Sequence, residues 1–282
     1  MLREHERPAD EVARIVGVRA SREQQQHDRP AHARTLSLLA VAVAWAGCHY
    51  DVGEADSAFY RWDGRKVHCA IDIDTYARIS NDSIFTGLDR ARDRGEVLEL
   101  YTHDPGVTVA WDVIETVLAG AQERGLAFVT YADMVHGNRP AGGGLALSFD
   151  DLYVTTWLSG RDLFQRYNAR LTFFISSWFQ MTAADRAGVH TLAGDGHDIE
   201  AHSVKHLRGP VYVEERGLAA YVDDEVQPSI DVLRDDGFDV SVFAYPYGAR
   251  TGETDRALLD RVQLLRSVTY TWDSPATDPC PE

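Results

Sequence analysis

The stretch from Leu145 to Asp151 reads Leu-Ala-Leu-Ser-Phe-Asp-Asp, an apolar run with the character of a buried strand that ends in two adjacent carboxylates. Two anions side by side at the edge of a core repel one another. They persist there only if a cation, a proton or donated hydrogen bonds stabilise them. Taken alone, Asp150-Asp151 is also a plausible helix cap. Candidate partners for a shared cation lie further on, in Glu200-Ala-His202-Ser-Val-Lys-His206. Histidines at i and i+4 share one face of a helical turn, so the spacing predicts such a turn with both imidazoles reaching one ion. Two imidazoles and one carboxylate leave a coordination position open for water or substrate.

At this point the sequence resembles the polysaccharide deacetylases of carbohydrate esterase family 4, the NodB homology group. Ser148-Phe-Asp-Asp151 resembles the family's first motif, His202-Ser-Val-Lys-His206 its second, and Phe243-Ala-Tyr-Pro-Tyr-Gly248 its third. The resemblance implies Asp151, His202 and His206 as ligands of a metal, usually zinc in that family, although another divalent ion would serve. It implies Asp150 as general base and the backbone N–H of Tyr247 as an oxyanion donor. Two positions depart from the pattern. Ala244 stands where the family has an arginine that orients the base, and Leu152 where it has glycine.

The family's last motifs are expected after the third, yet the chain ends at Glu282, soon after Thr269-Tyr-Thr-Trp272. Segments resembling them lie upstream instead. Gly95 to Asp104, the helix-like Val107 to Arg124 and the strand-like Leu126 to Thr130 look like the family's C-terminal part, with His103 as the candidate general acid. The fourth motif supplies an acidic partner for that histidine. Asp72 and Asp74, on one face of the strand Ala70-Ile-Asp-Ile-Asp74, both match; Asp74 is preferred because it lies nearer the strand's end. The fold expected is therefore an α/β, distorted TIM-like (β/α) barrel of the NodB type, circularly permuted. Residues 49–135 would correspond to the family's C-terminal part and 144–282 to its N-terminal part, joined through the polar, Gly-rich stretch 135–144.

Strand-like and helix-like segments alternate after Asp151, as a parallel, barrel-like sheet requires. The readings are helices at Tyr153–Tyr167, Thr182–Leu192, a long one at Val213–Leu233 and Thr254–Leu264, and strands at Leu171–Ser176, His197–Ala201, Val240–Tyr245 and Arg266–Trp272. Upstream, Asp63-Gly64 predicts a hairpin between Ser57–Trp62 and Arg65–Ile73, and Asp82-Ser83 caps a helix running to Arg94. Trp178 and Trp272, beside strand ends, read as core or rim residues, with stacking on a sugar ring as the alternative.

A length of 282 residues suits one barrel-sized domain with an N-terminal appendage, and a hydrophobic fraction of 44% suits a sizeable core. The formal net charge of -16 argues against nucleic acid and strongly anionic polymers as main partners and is compatible with an N-acetylated glycan. Residues 1–34 are polar and aperiodic. Thr35 to Cys48 has the length of a signal-peptide apolar core, and Ala46-Gly47-Cys48 resembles a lipoprotein cleavage site. A buried N-terminal helix is the other reading. On the first, the protein is extracytoplasmic in a bacterial envelope, meets the membrane only through a lipid on Cys48, and is expected to be a monomer. Of three cysteines, Cys69 and Cys280 then remain. In the permuted arrangement they lie beside the new chain ends and would form a disulfide, two free thiols being the alternative.

Taken together, the resemblance implies a metal-dependent hydrolase that removes N-acetyl groups from an N-acetylglucosamine-containing polysaccharide. The alternatives are a small amide or imide hydrolase of the same fold, and a non-catalytic glycan- or metal-binding lipoprotein.

Overall fold

The computed structural model describes residues 51–269 and 277–281; the expected signal segment with Cys48, and Trp272, lie outside them. Nine strands follow one another as β1 (Phe59–Tyr60), β2 (Val67–Asp72), β3 (Val97–Thr102), β4 (Ala127–Phe128), β5 (Gly144–Asp151), β6 (Thr172–Ile175), β7 (Asp198–Ala201), β8 (Val242–Ala244) and β9 (Leu264–Val268). The helices in chain order are α1 (Asn81–Arg94), α2 (Trp111–Glu123), α3 (Tyr131–His136), α4 (Val154–Ser159), α5 (Arg161–Arg166), α6 (Ala183–Gly194), α7 (Gly209–Arg216), α8 (Leu218–Tyr221), α9 (Gln227–Asp235) and α10 (Gly252–Leu259).

Strands β2, β3, β5, β6, β7, β8 and β9 close into a parallel seven-stranded barrel, because β3 pairs with both β2 and β5 and β9 pairs with β2. Going round the barrel, each strand is followed by the next in sequence until β9 meets β2 in the register Val67↔Leu265 to Ala70↔Val268. Period-two alternation sorts the side chains. Val97, Ala146, Phe174, Val242, Ala244 and Leu264 pack together on one side of the strands, while Leu98, Leu145, Phe149, Phe173, Phe243 and Leu265 pack with the helices in the larger core. Among the inward residues are charges: His68 meets Glu99 at 2.9 Å, and the Glu200 carboxylate accepts hydrogen bonds from Ser241 N, the Ser241 hydroxyl and Val242 N.

Four local expectations need correction. The residues before Asp63-Gly64 do not pair with β2; β1 turns instead onto β3, antiparallel, with Phe59 opposite Leu98. Helix α1 is capped by Ser80, whose hydroxyl accepts from Ser83 N, and ends at Gly95 in the left-handed region (φ 65°). The helix read over Tyr153–Tyr167 is divided at Gly160, where a Cβ would fall 2.3 Å from the Trp111 ring. The long helix read over Val213–Leu233 is interrupted at Gly217 (φ 89°) and passes through a π-helical turn at Val222–Val226 before α9. Trp178 is buried at 4% exposure, as its core reading expected, with the Arg186 guanidinium over its ring.

Cys69 on β2 and Cys280 form a disulfide across a Cα–Cα distance of 6.3 Å. It ties residues 277–281 to the barrel, where Arg250 also donates to the carbonyls of Asp278 and Pro279.

Candidate active site

All the singled-out side chains lie at or just beyond the C-terminal ends of barrel strands, the end at which parallel barrels gather loop residues into one cleft. All but the buried Asp74 line a cavity of about 410 Å³, whose wall includes Asp72, His103, Asp150, Asp151, His202, His206 and Tyr247. Asp150 and Asp151 terminate β5, and Asp151 is held at φ 87°, a conformation a non-glycine residue rarely adopts without compensation from its surroundings.

His202 follows β7 directly, and its backbone N–H donates to Ile175 O. The expected helical turn between the two histidines is absent. Residues 202–206 form a bend with Ser203 (φ 68°) and His206 (φ 58°) in the left-handed region, and this bend, rather than helical spacing, brings the rings to 4.9 Å. The Ser203 hydroxyl accepts from His206 N at 2.9 Å, while Glu225, delivered by the π-helical turn, accepts from Lys205 N at 2.8 Å. Both bonds fix the bend.

Asp151 Oδ1 lies 3.3 Å from His206 Nε2 and 3.8 Å from His202 Nε2. One ligand atom from each of the three falls within 4.8 Å of the other two, close enough to share one cation. The donor chemistry fits as well. The Nδ1–H of His202 donates to Ala244 O at 2.9 Å, which leaves the Nε2 lone pair turned toward Asp151. Burial lowers the pKa of His202 well below the ordinary imidazole value, with His206 pushing the same way, and burial also lowers His206 against the pull of Asp151. Neutral imidazoles are the form that binds a metal.

Asp150 is buried beside this cluster, and burial raises its pKa above the usual carboxylate range. Opposing that shift is Arg266, fully buried on β9, whose Nη2 donates to Asp150 Oδ2. Sequence reading missed Arg266. In the β8–β9 register Arg266 pairs with Ala244, so the guanidinium comes from the strand next to the position that lacks one. The signal was a lone arginine on the inward face of Leu264-Leu-Arg-Ser-Val268, between Leu264 and Val268.

Across the cavity His103 leaves β3, its carbonyl held by the Trp157 indole N–H at 2.9 Å. Its Nδ1 meets Asp74 Oδ2 at 2.5 Å, and Asp74 also accepts from the hydroxyls of Thr102 and Thr108. Asp74, then, and not Asp72, partners His103. Asp72 accepts instead from Asp74 N and from the Tyr76 hydroxyl. Burial of His103 opposes its charge, but the Asp74 hydrogen bond and the fields of Asp150, Asp74 and Asp151 outweigh it and raise the pKa to about 9. Tyr247 sits in the turn Pro246–Gly248 at φ 59°, with its ring 4.6 Å from that of His206.

The family model described as polysaccharide deacetylase matches residues 137–264. No curated protein matches the chain. Among solved structures, the deacetylase PplD of Streptococcus pyogenes, in complex with acetate, is 14% identical with a TM-score of 0.49, covering 65% of this chain and 97% of its own. The deacetylase domain of BpsB from Bordetella bronchiseptica is 17% identical with a TM-score of 0.45, over 60% of this chain and 81% of its own. IcaB from Ammonifex degensii is 16% identical with a TM-score of 0.46, over 76% and 87%.

Proposed function

We propose that this chain, which carries a polysaccharide deacetylase domain over residues 137–264, is an enzyme that hydrolyses N-acetyl groups on an N-acetylglucosamine-containing glycan. The observation that carries the reading is the convergence of Asp151, His202 and His206 beside a separate buried carboxylate, Asp150, with His103 lining the same cavity and held from behind by the buried Asp74. A divalent cation held by Asp151, His202 and His206, zinc in the first instance, would supply Lewis-acid polarisation of the acetamide carbonyl and of water.

The protein's own groups divide the remaining work. Asp150 removes a proton from water as the water oxygen bonds to the carbonyl carbon. Arg266 fixes the direction of that carboxylate and keeps its charge in a buried place. The Tyr247 N–H donates to the carbonyl oxygen as charge builds there, its position set by the left-handed turn. His103, charged at neutral pH and aimed by Asp74, gives a proton to the nitrogen as the C–N bond breaks, releasing acetate and a free amine. Two neighbouring carboxylates thereby take different roles, one as ligand and one as base.

The reading extends to the connectivity. β9 and β2 lie side by side, and the family match occupies 137–264; both agree with a permuted order in which residues 49–135 stand for the family's C-terminal part. A lipid anchor on Cys48, an extracytoplasmic site of action and a monomeric state complete the proposal. Among the described residues no helix is long and apolar enough to cross a membrane.

The test is acetate release from N-acetylglucosamine oligomers by the zinc-loaded protein, with bound zinc counted in parallel. Asp150→Asn is expected to lower kcat by about 10²–10⁴-fold, the usual contribution of a positioned acid or base, while retaining one zinc per chain. Release of acetate only from small amides or imides, or none under any condition, overturns it.

A further inference from the structure

We infer that the cleft binds, next to the sugar it deacetylates, a sugar bearing a carboxylate, and that Arg208 with Tyr247 forms the subsite. The inference rests on the deacetylase reading and names the substrate class of that same cleft. Arg208 lies two residues past His206 and lines both the catalytic cavity and a shallower groove beside it that runs past Val211, Tyr212 and Tyr247. With Tyr247 it forms the ridge between the two. A polymer crossing the cleft with one acetamido group in the catalytic cavity sets its next sugar on that ridge.

The Arg208 guanidinium stands 4.0 Å over the Tyr247 ring, whose other neighbour is His206. Stacking fixes its plane and leaves its edge donors free. Its Nη1 is buried and has no hydrogen-bond partner, and among the described residues no carboxylate lies within ion-pair distance of it. The other arginine of the cavity, Arg266, is already engaged by Asp150. The base of Arg208 is rigid, since a Cβ on the following Gly209 would fall 2.9 Å from the Tyr221 ring and Arg208 caps α7, whose first turn holds Pro210.

A planar, pre-oriented guanidinium with unspent donors is the group that matches a carboxylate by two parallel hydrogen bonds. The ring beneath it, 49% exposed, offers an apolar face to the same sugar. The chain's net negative charge argues against a densely anionic polymer, but it acts on a single carboxylate at this subsite mainly through distant charges. Solvent-exposed charges are screened beyond about 8–10 Å at physiological salt, so the contact is decided by the cation that touches the ligand.

The experiment compares kcat/KM of the zinc-loaded protein on five oligomers: neutral N-acetylglucosamine; N-acetylglucosamine alternating with a lactyl-ether sugar; N-acetylglucosamine alternating with a uronic acid; and the methyl ester of each of the two acidic forms. At least one acid is expected to exceed its ester by about tenfold, through KM and less so at high salt, as loss of one charge-assisted contact implies. Which acid does so identifies the source of the carboxylate. Arg208→Gln is expected to bring that ratio to about one, and Arg208→Lys to restore it only partly, because a point charge lacks the fork. A wild-type ratio near one for both acids, or a ratio unchanged in Arg208→Gln, overturns the inference. Calorimetric binding of the corresponding amine products separates the two readings. Preferential binding of the acidic product without acetate release from any oligomer upholds this subsite and sinks the deacetylase; acetate release without preference does the reverse.

Discussion

At the scale of single residues, the departure at Ala244 shows why a motif can be incomplete in sequence and whole in space. What Asp150 requires is a guanidinium in one small volume, and β8 and β9 both border that volume, with Ala244 and Arg266 paired between them. Arg266 shares its strand face with Leu264 and Val268, and only the strand register shows which carboxylate it meets. Arg266→Ala removes one partner of a buried pair, at a cost of roughly 3–5 kcal/mol by the usual range, measurable as a shift in urea midpoint, and should abolish acetate release. Adding Ala244→Arg should recover a large part of both, because the new guanidinium starts one strand away on the same face. A double variant no better than the single one would mean that Arg266 serves packing rather than aim. The Asp74–His103 pair was legible only with the family resemblance, which supplied the histidine and its need for an acid; alternation put Asp72 and Asp74 on one face, and strand-end position chose between them. Its titration gives a second check, followed by NMR in metal-free protein: the His103 ring should titrate near 9 and fall toward the ordinary imidazole value in Asp74→Asn. The sign for stability follows from the raised value. The stabilisation from this pair is complete below the unfolded value of about 6.5 and is lost as pH rises through about 9.

At the scale of elements, strand identities were easy to read and strand partners were not. Apolar runs ending in polar residues revealed β5, β6 and β8 to within a few residues, because a strand buried on both faces is mostly apolar, while β7, with the sequence Asp-Ile-Glu-Ala, departs from that pattern. Pairing is a long-range property, and the Asp63-Gly64 turn misled for that reason: its local geometry suits a hairpin, but β2 pairs with β9 and, at Ile71 and Asp72, with β3, so β1 takes Val97 and Leu98 at the start of β3, which β2 leaves unpaired. The histidine bend was illegible for a related reason. Spacing of four fits a helix and equally a bend with two left-handed residues, and nothing in Ser203-Val-Lys-His206 announces positive φ. The Gly-rich connection shows the same limit. Gly142 has open space about it, whereas a Cβ on Gly143 would fall 2.1 Å from the Ala91 carbonyl oxygen, a backbone atom that cannot step aside. Gly143→Ala should therefore destabilise by more than about 2 kcal/mol and Gly142→Ala by less than about 0.5, read as denaturant midpoints. Equal effects would show that the loop, not α1, yields.

At the scale of the whole molecule, the closed barrel makes chain order nearly irrelevant to the site. Each barrel strand touches its sequence neighbours, and the one pairing between distant strands, β9 with β2, is the seam where a chain break costs least pairing. The Cys69–Cys280 disulfide, whose cysteines are 211 residues apart in sequence, has Cys69 on β2 at that seam; on the permuted reading it holds together two stretches that an unpermuted chain would join by peptide bonds. In the chain-entropy picture a loop of this length contributes at most about 5 kcal/mol, the same service a covalent connection performs. If the permuted reading is right, reversing it should be harmless. A chain opened between Arg139 and Gly142, with residue 281 joined to Asp51 by a flexible linker, keeps β5 through β9 and β2 through β4 intact and leaves every cavity residue on its own strand. It should fold with an unchanged circular dichroism spectrum and release acetate at a rate within a few-fold of the parent. It should also tolerate Cys69→Ala with Cys280→Ala, which in the parent chain lowers the midpoint of unfolding, because the linker then supplies the constraint that the disulfide gave. Failure of the rejoined chain to fold, with the disulfide intact, would show that β9 and β2 are held by more than their pairing and that the present order of segments is part of what specifies the barrel.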